Sequence, residues 1–368
     1  MLLLLWLQGV VARRTVRLLG VAGGIALTVG LLGALGVFIA ASTASMTKRA
    51  LADVPVDWQV QLAPGVDPTA AATTVSGAVP TTAVDQVGYA DVASFSATTG
   101  GTVQTTGAGK VLGLGPQYSQ HFPAELRPLV GAASGVLVAQ QTAANLHVAP
   151  GDTVTVQRQG LPPVQVRVDG VVDLPNADSL FQVVGATAGT APQAPPDNVL
   201  LLPLMRWHEL FDPQAAAQPA SVHLQLHVRL ARTLPANPTA AYTAVQRQAH
   251  SVEARLAGGG VVGNNLAVRL GSVRSDALYA QVLFLFLGVP GAILGGLLTL
   301  AVASAGADRR RREHALLRTR GASTALLLRL AAGEAVVTGL VGAASGVLLA
   351  WVAGRVVTAA GTTTATTL

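Results

Sequence analysis

Three long apolar runs set the limits on what this chain can fold into. They cover about Leu18 to Ala40, Leu278 to Ala303 and Ala331 to Val357. Each has the roughly 20 apolar residues that a helix needs to cross a hydrocarbon layer of about 30 Å. Because lipid offers the backbone no hydrogen-bond partner, a helix is the expected form of each run. The charged fraction of 11% agrees with this interpretation, since soluble domains carry about 25%.

The first run has an alternative interpretation, a signal peptide that is cleaved. A signal peptide has an apolar core of about 7–15 residues, and this run is longer. We therefore expect a retained membrane helix, preceded by an amphipathic segment along the inner membrane surface. Its glycines would allow close contact with other helices: Gly20, Gly23, Gly24 and Gly36.

The distribution of charge predicts the orientation of the runs. Residues 42–276 contain 13 Lys/Arg and 15 Asp/Glu, whereas the rest of the chain contains 11 and 3. Basic residues are enriched in the cytoplasmic loops of membrane proteins. Arg13, Arg14 and Arg17 before the first run, and the cluster 309–320 before the third, agree on one threading. This pattern places residues 42–276 outside the cell and does not indicate binding to nucleic acid.

The resulting organisation has seven parts. They are a cytoplasmic N-terminus (1–17), a first transmembrane helix (18–41), an extracytoplasmic domain (42–276), a second transmembrane helix (277–304), a cytoplasmic loop (305–330), a third transmembrane helix (331–357) and an extracytoplasmic tail (358–368).

The region between the first two runs reads mainly as strands. Alternation of apolar and polar residues predicts strands at 56–62, 152–158, 164–172 and 221–230. Residues 237–259 read as a helix, because Asn237 and Pro238 suit its first turn and glycines end it. Residues 96–109, rich in Thr and Gly, are predicted to be a loop.

No catalytic or cofactor motif is found in this region. The nearest phosphate-loop candidate, "TGAGKV" (106–111), has Gln104 in place of the first glycine and Val111 in place of the Ser or Thr that binds magnesium. The chain has no cysteine, which excludes disulfides and thiolate metal sites. The close carboxylate pairs suit turns better than hydrolysis: Asp169 with Asp173, and Glu209 with Asp212. We therefore expect no enzyme activity, no metal and no cofactor on this chain.

His223 and His227 have the spacing of a metal-binding pair on a helix. Their surroundings alternate between apolar and polar residues, however, which indicates a strand. Four steps along a strand separate the two side chains by about 13 Å, too far for one ion. The pattern therefore favours the polar face of a strand.

The stretch "ADRRRREHALLRTRGAS" (307–323) carries six arginines between two apolar runs. Arg309 to Arg312 suit a stop-transfer cluster that attracts anionic lipid. The residues that follow predict a short helix from about Asp308 that breaks near Gly321. Such an element can be a docking site for another protein, which we favour over lipid anchoring alone. Glu334, near the start of the third run, suits either an ion pair with Arg318 or Arg329, or contact with a partner.

The segment "RRREHALLRTRGAS…LLRLAAGEAVVTGLVGAASG" (310–346) closely resembles the FtsX-like permease signature. Further stretches resemble actinobacterial members of that family: "ANLHVAPGDTVTV" (144–156), "DNVLLLPLMRWHELF" (197–211), "NNLAVRL" (264–270) and "YAQVLFLFLGVPGAILGGLL" (279–298). The resemblance touches most of the chain, and the order of its parts matches.

The resemblance implies an α-helical membrane protein with a large extracytoplasmic α+β domain, a MacB-like periplasmic core, between the first two transmembrane helices. It implies a permease subunit of an ABC transporter of the MacB type in the plasma membrane. A separate cytoplasmic ATPase would carry the ATP and magnesium, and movement of the outer domain would export or extract lipids, lipoproteins or peptides. The residues that match the signature would form the coupling region: Arg311, Arg312, Glu313, Leu317, Arg318, Gly321 and Glu334.

The resemblance also implies a homodimer or heterodimer of permease subunits in contact with membrane lipids. The family's usual unit has a fourth span after the third. We expect this sequence to be truncated before that span, the alternative being a second subunit that completes the bundle.

A different class of function also fits the sequence: a non-transport membrane protein whose outer domain binds or regulates a cell-envelope partner.

Overall fold

The computed structural model describes residues 15–52, 54–182, 184–185, 195–304, 315–316, 318–319 and 323–363. The chain divides into two compact units. We call Thr47–Arg274 the sheet unit, and Met1–Met46 together with Ser275–Leu368 the helix unit.

The helices of the described residues are α1 (Thr15–Ala52), α2 (Pro68–Ala78), α3 (Tyr118–His121), α4 (Gln140–Leu146), α5 (Ala177–Leu180), α6 (Leu204–Ala217), α7 (Pro238–Leu256), α8 (Asn265–Ser304) and α9 (Thr324–Thr363). The strands are β1 (Trp58–Leu62), β2 (Thr81–Thr99), β3 (Thr102–Thr105), β4 (Gly109–Leu114), β5 (Arg127–Gly131), β6 (Leu137–Ala139), β7 (Thr153–Arg158), β8 (Val164–Arg167), β9 (Gly170–Asp173), β10 (Val199–Pro203), β11 (Val222–Leu230) and β12 (Gly260–Asn264).

Three helices of the described chain are long and apolar enough to cross a membrane: α1, α8 and α9. All three extend beyond the predicted apolar spans, since α1 continues to Ala52, α8 begins at Asn265 and α9 begins at Thr324. The extension of α1 follows from its composition, because residues 42–52 include Ala, Met, Lys and Arg, which favour helix.

Helices α1 and α8 pack closely and run in opposite directions. A Cβ atom built on Gly24 would lie 2.7 Å from Thr299 Oγ1, and one built on Gly20 would lie 3.4 Å from Val302. Further along α1, the Phe38 ring meets the Phe284 ring edge-on at 5.1 Å between centroids. The residue number in α8 falls as the number in α1 rises, so the two helices are antiparallel.

Helices α1 and α9 run in the same direction, because the residue number in α9 rises as the number in α1 rises along their contacts. A Cβ on Gly342 would lie 2.8 Å from the Ile25 Cβ, one on Gly346 would lie 2.7 Å from the Val29 Cβ, and one on Gly354 would lie 2.7 Å from Val37. Small residues at such positions allow the backbones to approach. Two of the four glycines predicted for this role, Gly20 and Gly24, make such contacts. Gly23 and Gly36 face open space.

This packing predicts a disulfide in the variant with Gly24→Cys and Thr299→Cys. The Cβ atom built on Gly24 lies 3.5 Å from the Thr299 Cβ, within the range of about 3.5–4.5 Å for a disulfide. The chain has no native cysteine, so a maleimide gel shift on the oxidised monomer should detect no free thiol. The matched control is Gly23→Cys with Thr299→Cys, which should keep both thiols. Equal bridging in the two variants would contradict the packing.

The sheet unit contains one mixed twelve-stranded sheet of described strands. Its main path is β12-β1-β11-β2-β4-β10-β6-β9-β5. Strand β2 is long enough to pair with β11 and β4 along its first part and with β7 and β3 along its second, and β8 pairs with β7. The pairs β10–β4 and β6–β9 are parallel, and the other pairs are antiparallel.

Three apolar cores stabilise the sheet unit. Helices α2 and α7 cover one face of β1 and β11 around Trp58, and a second core surrounds the fully buried Trp207 of α6. The indole of Trp207 lies over the cross-strand pair of Gly88 and Gly113 and donates its N–H to the Val111 carbonyl at 3.1 Å. A third core covers the face that carries Tyr89, beneath residues 115–126 and 174–182.

Several predictions from the sequence pattern are confirmed. The strands at 56–62, 152–158 and 221–230 exist as β1, β7 and β11. Helix α7 begins as predicted, because the Asn237 side chain accepts hydrogen bonds from the amides of Thr239 and Ala240. The helix ends at Leu256, and Ala257 adopts a left-handed conformation with φ 49° just before the glycines.

Two predictions were wrong. Residues 96–109 are not a loop: β2 continues to Thr99, and Gly100 and Gly101, both with positive φ, turn the chain into β3. Threonine favours strands, and such a pair of glycines forms a tight hairpin turn. The segment 164–172 is two strands, β8 and β9, which are separated by Val168 and Asp169. Helices α2 and α6 were not predicted.

Candidate functional site

The structure describes two of the seven proposed coupling residues. Arg311, Arg312, Glu313, Leu317 and Gly321 lie outside the described residues.

Arg318 lies within the described residues, in a helical conformation, and its side chain is exposed. Its neighbour Leu316 is 62% exposed, and the Thr319 hydroxyl donates to the Leu316 carbonyl at 2.8 Å. Ser323 directly precedes α9, and its side chain and carbonyl accept hydrogen bonds from the Leu326 amide. The described part of this segment therefore presents a charged and an apolar side chain to its surroundings.

Glu334 lies in the third turn of α9 and is half-buried. Its carbonyl accepts a hydrogen bond from the Thr338 hydroxyl at 2.8 Å. No ion pair to Glu334 forms within the described residues, so the predicted pairing with Arg318 or Arg329 is not observed. In α9, Arg329 and Glu334 are five residues apart and therefore do not share a helix face.

The acidic pairs of the sheet unit have structural partners. Asp173 pairs with Arg127 at 2.6 Å, and the Asp169 side chain accepts from the Val136 amide at 2.8 Å. On α6, Arg206 pairs with Glu209 and His208 with Asp212. Within the described residues, no three His, Asp or Glu side chains are grouped as a metal site would require.

His227 lies on a strand as predicted, but the polar face of that strand is buried. The His227 ring is fully buried, and burial lowers its pKa to about 3, so the ring is neutral. Tyr89 donates its hydroxyl proton to the Leu180 carbonyl at 2.8 Å and must accept from His227 Nε2–H at 3.1 Å. His227 Nδ1 then accepts from the Tyr118 hydroxyl at 2.8 Å. These hydrogen bonds fix one tautomer of His227 and hold the segments that carry Tyr118 and Leu180 on the sheet.

A second polar group on the same face surrounds Ser179. The Ser179 carbonyl accepts hydrogen bonds from the side-chain amides of Gln59 and Asn265. Its hydroxyl oxygen lies 2.6 Å from Glu125 Oε1 and 2.9 Å from the Asn176 carbonyl. One hydroxyl proton cannot serve two acceptors, but a protonated Glu125 would supply the second proton.

The environment of Glu125 favours that protonated form. The side chain is fully buried, and burial raises its pKa to about 8, although the Ser179 hydroxyl acts in the opposite direction. No cationic side chain of the described residues pairs with it, so nothing offsets the desolvation of a carboxylate. Glu125 therefore carries a proton at neutral pH.

Two family patterns match the chain in sequence order. The MacB-like periplasmic core domain matches residues 17–252, and the FtsX-like permease C-terminal domain matches residues 285–368. The first match covers more than half of the chain. The chain belongs to the MacB-type family of FtsX-like permeases. The resemblance found in the sequence is thereby confirmed, and the second match includes all seven proposed coupling residues.

The crystal structure of the periplasmic region of MacB from Actinobacillus actinomycetemcomitans is similar over 59% of this chain and 94% of that chain, at 13% sequence identity and a TM-score of 0.36. No curated protein matches the permease.

Membership of the MacB-type family of FtsX-like permeases defines the general class of the protein. FtsX-like and MacB-like permeases are membrane components of transporters that work with a cytoplasmic ABC ATPase. The three apolar helices agree with a membrane protein, and the mixed α/β sheet agrees with a MacB-like periplasmic core. Sequence reasoning missed the buried groups around Ser179 and His227, because alternation predicts the two faces of a strand but not what covers them.

Proposed function

We propose that this protein is the permease subunit of an ABC transporter whose outer domain is moved by ATP hydrolysis on a separate ATPase. The observation that carries the proposal is the FtsX-like match over residues 285–368, which contains the basic segment between α8 and α9. In the proposal this segment is a coupling helix that docks on the ATPase. ATP and magnesium are bound by that partner, and this chain is not itself an enzyme.

The directions of the helices support the threading that this function requires. Because α1 is antiparallel to α8 and parallel to α9, the start of α1, the end of α8 and the start of α9 point to the same side of the helix unit. The basic residues that flank these three ends are then all cytoplasmic. The sheet unit, between α1 and α8, is extracytoplasmic in this arrangement, and the protein is a multi-pass plasma-membrane protein with a cytoplasmic N-terminus.

The proposed output is mechanotransmission. Two permease subunits, identical or different, would close on ATP binding, and their outer domains would export or extract lipids, lipoproteins or peptides.

Charge reversal in the coupling segment tests the proposal. The variant with Glu313→Arg and Arg318→Glu should lose at least about tenfold of the ABC ATPase that co-purifies with the full chain. Juxtaposed like charges cost several kcal/mol, and about 1.4 kcal/mol corresponds to tenfold in affinity. The amount of ABC ATPase that co-purifies with each variant would be measured on a quantitative immunoblot.

The matched control reverses an exposed pair of the same residue types in the sheet unit, Arg206→Glu with Glu209→Arg. This control keeps the i,i+3 ion pair and should keep the ATPase. If the coupling variant binds the ATPase as well as the control does, the non-transport membrane protein that binds an envelope partner becomes the better hypothesis.

A further inference from the structure

The end of α1 and the start of α8 meet one end of the sheet. Helix α1 ends at Ala52, shortly before β1, and α8 begins at Asn265, directly after β12. Strands β1 and β12 are antiparallel neighbours in which Trp58 faces Asn264. The two long helices therefore join the sheet at adjacent points, although more than half of the chain separates them in sequence.

Arg232, which follows β11, contacts the end of α1. Its guanidinium donates to the Leu51 carbonyl at 2.5 Å and also to the Val54 carbonyl. The last carbonyls of a helix have no partner within the helix and carry the negative end of its dipole. A cation at this position therefore completes the C-terminal end of α1.

Asp57 links Arg232 to the sheet. Its carboxylate is fully buried and accepts from Arg232 Nη2 at 2.7 Å, from Arg232 Nε at 3.1 Å and from the Leu230 amide at 2.7 Å. Its backbone amide donates to the Val228 carbonyl at 3.0 Å. Arg232 thus spans helix, linker and sheet with one planar group, a geometry that lysine cannot reproduce.

The backbone of Asp57 also reaches α8. Its carbonyl accepts from the Leu266 amide at 3.3 Å, one of the amides in the first turn of a helix that lack an intrahelical partner. The Asn264 side chain accepts from the Ala267 amide at 2.9 Å, and the Asn265 side chain donates to the Val56 carbonyl at 2.9 Å. One short linker, residues 54–57, therefore holds both helix ends.

Arg232 makes these contacts from an unfavourable backbone conformation. Its φ is 53°, in the left-handed region that is unfavourable for a residue with a side chain. Such a conformation persists only where the surrounding contacts hold it.

From these contacts we infer that Arg232 and Asp57 form a rigid joint that fastens the adjoining ends of α1 and α8 to the sheet. The joint keeps the end of α1 and the start of α8, both of which belong to the sheet unit, in a fixed orientation on the sheet. The rigidity of the joint is a property of this chain alone and does not depend on the proposed function. Arg232 and Asp57 are positioning residues, since they are not proposed to touch the transported molecule.

Spin labels on the full chain in lipid nanodiscs test the joint. The chain has no native cysteine, so labels can be attached at Lys48→Cys with Ser76→Cys for α1, and at Arg269→Cys with Ser76→Cys for α8. Both pairs should give narrow distance distributions. Arg232→Met should broaden both distributions, whereas hydrogen exchange of β6 and β9 should stay unchanged, which separates loss of the joint from unfolding.

The matched control is Arg127→Met, which removes an arginine that pairs with Asp173 at the far edge of the sheet and should leave both distributions narrow. If Arg232→Met fails to fold, Arg232→Lys keeps the charge and should broaden the distributions less. Narrow distributions in a folded Arg232 variant would overturn the joint. If an Arg232 variant with narrow distributions still co-purifies with the ATPase, the joint is wrong and the proposed function stands. If only the coupling-segment variant loses the ATPase, that result concerns the proposed function and does not test the joint.

Discussion

Replacing Glu125 with glutamine is expected to stabilise the sheet unit at alkaline pH and to remove most of the pH dependence of its stability near neutrality. The glutamine amide would donate to the Ser179 hydroxyl as the protonated carboxyl group does, and Ser179 would still donate to Asn176. The variant therefore reproduces the neutral form of Glu125 at every pH. It is close in shape to the native side chain, so the packing of the buried site changes little.

The sign of the effect follows from the raised pKa. Burial raises the pKa of Glu125 from its ordinary value of 4.5 to about 8. The contribution of this group to stability is therefore fully present below about pH 4.5 and is lost as the pH rises through about 8. The total loss is on the order of 5 kcal/mol, since one pKa unit corresponds to about 1.4 kcal/mol. Glu125→Gln should be free of this loss.

Thermal unfolding of the full chain in detergent, followed by the fluorescence of Trp58 and Trp207, measures the effect. The midpoint of Glu125→Gln should exceed that of the wild type increasingly between about pH 5 and pH 9. The matched control is Glu209→Gln, an exposed carboxyl group whose removal should leave the pH profile unchanged. A Glu125→Gln variant that is less stable than the wild type at alkaline pH would mean that Glu125 acts as an ionised carboxylate.

Gly113→Ala is expected to destabilise the sheet unit by about 2–3 kcal/mol. A Cβ at Gly113 would lie 2.5 Å from Trp207 Cγ and 2.6 Å from its Cβ. These atoms belong to the fixed base of the indole and not to a flexible end, so either the side chain or the strand must shift. Because the indole also covers Gly88 on the neighbouring strand and donates to the Val111 carbonyl, a shift would disturb α6 and two strands together.

Chemical unfolding of the full chain, followed by the same fluorescence, measures this loss. Gly115→Ala is the matched control, because a Cβ at Gly115 meets no atom within 4 Å, and its stability should stay within about 0.5 kcal/mol of the wild type. Gly113→Ala would contradict the packing of Trp207 if it were as stable as this control.

The sequence allowed prediction of those features that depend on neighbouring residues. The three apolar helices follow from run length, β1, β7 and β11 from alternation, and the start of α7 from the Asn237 cap. The hairpin between β2 and β3 was missed because threonine and glycine were interpreted as loop composition. A pair of adjacent glycines flanked by threonines is also typical of a tight turn between two strands.

The features that were missed depend on residues far apart in sequence. The Asp57–Arg232 pair is separated by 175 positions, and no local spacing indicates it. Burial of His227 and Glu125 depends on segments 115–126 and 174–182, which fold over the sheet. No ion pair between Glu334 and Arg329 is observed, for a simpler reason: five residues on a helix place two side chains on different faces.

The order of the strands has a consequence for biosynthesis. Strand β1 is flanked by β11 and β12, so it has no sheet neighbour until the ribosome has made residues 222–264. At about 5–20 residues per second, this delay after β1 is synthesised is on the order of 10 s. During that time α1 has already emerged, while the strand next to it remains unpaired. Completion of the sheet therefore coincides with the emergence of α8, and the nascent chain needs protection against aggregation until then.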